Sequence, residues 1–147
     1  MQVFVVGSPM ETAMALDKAT LRSQIREAYI ILAAIHGECE DWIHHPVVLM
    51  YSEPNSVCWL KMYADILEGY LDGSTWLIEA DREAREITPE FHTTEFIENM
   101  KKRLYTENPE RYKQWAELGE SDEDWYWNPT QRKWLVYRDG ELIETRI

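Results

Sequence analysis

Four polar residues on one predicted helix, Arg22, Gln24, Arg26 and Glu27, are the first candidates for chemistry in this chain. Gln24 and Glu27 stand three apart and share a ridge beside an apolar face. Arg22 and Arg26, four apart, lie on its other side. Such a helix can line a polar pocket, and it can equally be a surface helix with ordinary charges. A second group, His36, Cys39, His44 and His45, falls within ten residues, but its spacing is not that of a standard zinc site, and no metal or cofactor is expected. The basic run Lys101-Lys102-Arg103 could meet phosphates. Glu98 and Glu107 beside it favour a solvated helix face with intrahelical pairs.

The elements that must position these residues can be read from the apolar spacing. Met1 to Val6 predicts a short strand or extended arm. Ser8-Pro9-Met10-Glu11 is a capping box opening a short helix that runs to Leu16. Leu21, Ile25, Ala28, Tyr29, Leu32 and Ile35 then mark the buried face of a long helix from about Asp17 to His36, stopped by Gly37. A short apolar segment, Val47 to Tyr51, follows His45-Pro46. Pro54 opens a helix with Leu60, Tyr63, Ala64, Leu67 and Leu71 buried and Gly73 closing it. Further helices are expected over about Thr75 to Glu86, Thr94 to Thr106, and from Asn108-Pro109 to Gly119. In the tail, Asp139-Gly140 between apolar runs predicts a hairpin, to which the segment from Trp125 adds a possible third strand. The expected fold is mainly α: about five to six helices, a short N-terminal extended segment and a small C-terminal β-hairpin. All 147 residues are expected to form a single domain, with about 125–147 as a β appendage.

Composition limits the function classes. The net charge is −12, from 15 Lys+Arg against 27 Asp+Glu, the opposite of a generic nucleic-acid binder. Any contact with DNA must therefore be local and focused. Two cysteines form no disulfide framework, the start lacks a signal-peptide pattern, and no run approaches the roughly 18 apolar residues of a membrane span. A cytoplasmic protein, bacterial or in a phage-infected cell, with no membrane contact is the expectation.

The stretch Leu16-Asp17-Lys18-Ala19-Thr20-Leu21-Arg22-Ser23-Gln24-Ile25-Arg26-Glu27-Ala28 resembles the opening helix of the phage-type pyrimidine-dimer DNA glycosylases. The resemblance continues through Trp42, His45-Pro46-Val47-Val48 and the helix of Tyr63. Asn108-Pro109-Glu110-Arg111-Tyr112 and Tyr126-Trp127-Asn128-Pro129 are similar to segments of uncharacterised bacterial and phage relatives. The resemblance implies a helical DNA repair enzyme that acts on a damaged or modified pyrimidine. Its nucleophile is the chain's α-amino group, which attacks C1′ and forms a Schiff base, and strand cleavage by β-elimination follows.

An α-amine ordinarily titrates near 7.7, so an appreciable fraction is nucleophilic at neutral pH. The implied catalytic residues are Met1, Glu27 and Arg26, with Glu27 stabilising the developing positive charge and Arg26 holding phosphate or sugar. Arg22, Gln24, Trp42, His45 and His92 complete the expected substrate-binding set. The chain departs from the pattern at Gln2, which is bulky enough that Met1 is expected to be retained, and at Ser23, Ile25 and Met100-Lys101, where relatives carry other residues. Two alternatives stand beside the enzyme: a catalytically inactive acidic accessory protein with a basic protein partner, and a pocket for a free nucleotide or nucleobase.

Overall fold

Four side chains begin helices by accepting a backbone N–H that the first turn would otherwise leave unpaired. Ser8 caps α1 (Pro9–Ala15) in a full capping box with Glu11, and Asp17 caps α2 (Lys18–Ile35). His45 Nδ1 accepts from Val47 N to start α3 (Pro46–Met50), and Thr93 caps α6 (Thr94–Glu107). Between them lie α4 (Pro54–Asp72), closed by Gly73 in the left-handed conformation, and α5 (Leu77–Glu86). The computed structural model describes residues 1–147 and adds two 3-10 segments, Glu40–Trp42 and Lys113–Leu118.

The expected mainly helical fold is therefore found. Asn108-Pro109 leads into a 3-10 segment, not an α-helix. The C-terminal hairpin is part of a three-stranded antiparallel sheet ordered β1 (Glu123–Asn128), β2 (Lys133–Arg138), β3 (Glu141–Arg146). Asp139 and Gly140 both have positive φ at the β2–β3 turn, as a tight hairpin requires.

The buried face of α2 is rotated from the one its sequence predicts. Leu21, Gln24, Ala28, Ile31, Leu32 and Ala34 are buried, whereas Tyr29 is 43% exposed and its phenol lies beside Glu68 on α4. Gln24 is the cause. Its amide is only 1% exposed and serves the N-terminal arm, which runs extended without a strand partner. Gln24 Oε1 accepts from Phe4 N at 2.8 Å, and Nε2 donates to the Gln2 carbonyl at 3.0 Å. The Tyr63 hydroxyl, 2.8 Å from Gln24 Oε1 and 2.9 Å from the Phe4 carbonyl, locks the pair from α4. Val3, Phe4 and Val5 then bury in the core beside Tyr63, Trp59 and Leu21.

The sheet closes the other side. Tyr126 of β1 buries in the core and donates its hydroxyl to the Met1 carbonyl at 3.0 Å. Asn99 of α6 donates to the Glu123 carbonyl, and Trp134 of β2 stacks on Phe96. At the start of α2, burial pushes the Asp17 carboxyl up, but hydrogen bonds from Tyr112 and Thr20 outweigh it and hold Asp17 below the usual carboxylate range.

Two consequences are measurable by urea unfolding. Gln24→Ala strands the Phe4 N–H and the Gln2 carbonyl, so it should destabilise the protein by roughly 2–4 kcal/mol. A loss under 1 kcal/mol would show that the arm is not held by this amide. Because the folded pKa of Asp17 is depressed, its contribution is present above the free carboxylate value and fades as pH falls through the lowered one. Tyr112→Phe should therefore destabilise clearly at pH 7 and progressively less towards pH 2. A loss constant across that range would contradict the linkage.

Candidate functional site

The docked arm leaves Met1 at the rim of an open cavity of about 480 Å³. One wall is the arm itself (Met1, Gln2, Phe4) and a second is α2 (Ala19, Thr20, Ser23, Gln24, Glu27). The third comes from α6 and β1, through Arg103, Glu107 and Asp124. Helical spacing explains the second wall: residues 20, 24 and 27 lie on one face, and Gln24 Nε2 donates to Glu27 Oε2 at 2.8 Å. One primary amide thus fixes both the arm that carries the α-amine and the carboxylate that faces it.

Burial pushes the Glu27 carboxyl above its ordinary pKa. The Met1 ammonium and Arg26 pull it back, and Glu107 adds to the rise. The carboxylate therefore feels the charge of the amine, yet the two form no direct ion pair. His45 is also close enough to the amine to feel its charge. Burial and the Met1 charge both lower its pKa, against an opposing pull from Asp124, so the ring is neutral at pH 7. Because Nδ1 accepts from Val47 N, the neutral ring carries its proton on Nε2 and offers a donor. Trp42 and Tyr126 pack edge-on against this ring at 5.7 and 5.5 Å.

Arg103 is the one cationic side chain lining the cavity, and it is only 17% exposed. It donates to Asp124 at 3.1 Å and approaches Glu107 at 3.5 Å. The solvated face expected for Lys101-Lys102-Arg103 thus does not hold at Arg103, because β1 folds against α6 and covers it. Burial raises the pKa of Glu107, with Arg103 lowering it and Asp124 raising it.

The structure brings together Met1, Gln24 and Glu27 at the cavity; His45 does not line it but feels the Met1 charge, and Trp42 packs on His45. Arg22 and Arg26 are exposed and do not line the cavity, although the charge of Arg26 reaches Glu27. Gln24 has its amide fully engaged, so it positions other groups. His92 is elsewhere: it packs among Trp59, Phe91 and Phe96, accepts or donates with the Tyr51 hydroxyl at 2.9 Å, and burial lowers its pKa to about 3. His36, Cys39, His44 and His45 do not converge into a metal-holding group. Sequence reasoning missed Thr20, Ser23, Glu107, Asp124 and Tyr126. Only Arg103 carried a signal, its place in the basic run.

The raised pKa of Glu27 has a stability sign. A carboxyl whose folded pKa exceeds its unfolded one is most favourable when protonated, so wild-type stability falls as pH rises through the raised value. Glu27→Gln removes that loss and keeps an acceptor for Gln24. In thermal melts the variant should match wild type near about pH 4 and melt higher at pH 7. A variant less stable at pH 7 would mean that Glu27 is not held at a cost.

No curated protein and no solved structure matches the chain. The family resemblance seen in the sequence is supported directly: the family model described as pyrimidine dimer DNA glycosylase matches residues 1–69, which carry the arm, the whole of α2, His45 and Tyr63.

Proposed function

We propose that the protein is a DNA glycosylase with an associated lyase step, acting on a damaged or modified pyrimidine. One observation carries the reading. Met1 and Glu27 line one open cavity, close enough for the α-amine's charge to act on the Glu27 carboxyl, and both lie within the stretch that matches the family.

In this mechanism the unprotonated Met1 amine attacks C1′ of an unstacked nucleotide. The C1′–N1 bond breaks and its electron pair leaves with the base, which takes up a proton. Opening of the C1′–O4′ bond gives an iminium between the amine and C1′. Glu27, half-buried and held by Gln24, stabilises that cation in the transition state as a fixed carboxylate. A proton is then removed from C2′, the 3′ phosphate departs, and water releases the amine. His45, whose free Nε2 proton and nearness to the amine follow from its contacts, can donate to the departing base.

Charge placement supports DNA over a free nucleotide. Three carboxylates, Glu27, Glu107 and Asp124, line the cavity against Arg103 alone, so a phosphate inside would be repelled. Lys18, Arg22 and Arg26 recur every four residues on α2, are exposed, and make no ion pair. They are free to hold backbone phosphates outside the cavity while sugar and base enter.

Borohydride reduction of the protein with dimer-containing or abasic duplex should give a covalent adduct that mass spectrometry places on the Met1 amine. Glu27→Gln should slow adduct formation by about 10²-fold or more while retaining DNA binding. An adduct on a lysine, or none with either DNA, would falsify the amine mechanism.

A further inference from the structure

A second concavity lies away from the Met1 cavity, between α4 and α5, and shares no residue with it. It is also about 480 Å³. Met62, Ile66 and Gly69 of α4, with Ala80 of α5, make its apolar floor, and Trp76 forms one wall while remaining 46% exposed. The ring is fixed closely against the helix: a Cβ at Gly69 would lie 2.7 Å from it, so α4 accepts Trp76 only because residue 69 has no side chain. An indole fixed at a groove wall, with nearly half its surface open, is the usual form of an anchor for a partner side chain.

The rim has a single sign. Asp65, Glu68, Asp72 and Glu83 line it, no Lys or Arg does, and none of the four forms an ion pair. Elsewhere the exposed acids are often matched, as in Arg82–Glu79, Arg132–Glu90 and Arg138–Asp122. Two of the rim acids also oppose stability. Asp72 does so as the last residue of α4, where the helix dipole disfavours an anion and no basic residue compensates, while Glu68 crowds Asp65. Burial together with Glu68 raises the pKa of Asp65, so these charges are crowded as well as unpaired.

From the apolar floor, the fixed open indole and the uncompensated acidic rim, we infer that the α4–α5 groove docks a basic amphipathic segment of another protein. Apolar residues of that segment sit on Ile66, Ala80 and Trp76. Its lysine or arginine stems cross the rim and pair with Asp65, Glu68, Asp72 and Glu83. Complementary charge of this kind sets specificity and association rate, and apolar anchoring sets residence time. The inference does not rest on the glycosylase reading, since the groove is separate from Met1 and Glu27.

The test uses the full chain, isotopically labelled, titrated with a synthetic Leu/Lys peptide of about 18 residues that has leucines at helical spacing. Amide and indole NMR shifts should concentrate at Gly69, Trp76 and their neighbours, and binding should weaken as salt rises. Trp76→Ala, and separately the quadruple variant Asp65→Asn, Glu68→Gln, Asp72→Asn, Glu83→Gln, should each weaken binding by about tenfold or more. Neutralising four exposed acids elsewhere (Glu38, Glu40, Glu110 and Glu117) should not. Adduct formation with DNA should be unchanged in the groove variants. Equal weakening by both quadruple variants would reduce the effect to net charge and overturn the proposal, as would absence of binding or equal binding of a Leu/Glu peptide. Sedimentation that showed a dimer lost on Trp76→Ala would assign the groove to a second copy of the chain instead.

Discussion

One buried primary amide organises the candidate site. Gln24 can make four hydrogen bonds, and the fold uses all of them: two to the backbone of the arm, one to Tyr63 and one to Glu27. A buried amide left partly unsatisfied would cost more than it contributes, so the arm cannot shift along α2 without breaking the set. The arm has no sheet partner to hold it, and side-chain hydrogen bonds substitute for a ladder. The placement of Met1 therefore rests on α2 and α4, to which the sheet adds the Tyr126 contact to the Met1 carbonyl.

That arrangement explains which parts were legible in the sequence. Helix starts were legible at the Ser8 capping box and near Asp17 and Thr94, where the signals act on neighbours within a few residues, whereas the His45 cap that turns Val47 to Met50 into a helix was not. The Asp139-Gly140 turn was legible for the same reason. The buried face of α2 was misread at Tyr29 because hydropathy ranks a tyrosine above a glutamine, and only the distant arm makes Gln24 an interior residue. Arg103, Asp124 and Glu107 were not legible as site residues. They reach the cavity through the packing of β1 on α6, a contact between segments about twenty residues apart that leaves no periodic mark. His92 looked like a pocket residue by type, but its ring fills an aromatic cluster in the core.

The site carries costs that the rest of the fold offsets. Glu27 and Glu107 are held partly desolvated, each with its pKa raised, and only Arg103 and the α-amine stand against three carboxylates. A core of this kind could be made more stable by neutral residues at those positions. The 28-residue apolar cluster built around Trp59, Tyr63, Ile66 and Phe96 tolerates the penalty because most of it lies away from the cavity.

The charge of −12 weighs less against a polyanionic substrate than it first does in the sequence. At physiological salt, exposed charges more than about 8 Å apart are largely screened, so a surface is felt patch by patch. Lys18, Arg22 and Arg26 form such a patch, an exposed and unpaired row along one helix. The acids of the α4–α5 groove line a different surface and share no residue with it. Sorting the charges in this way lets one small chain present a local cationic track and a separate anionic groove. The net figure averages over both and describes neither.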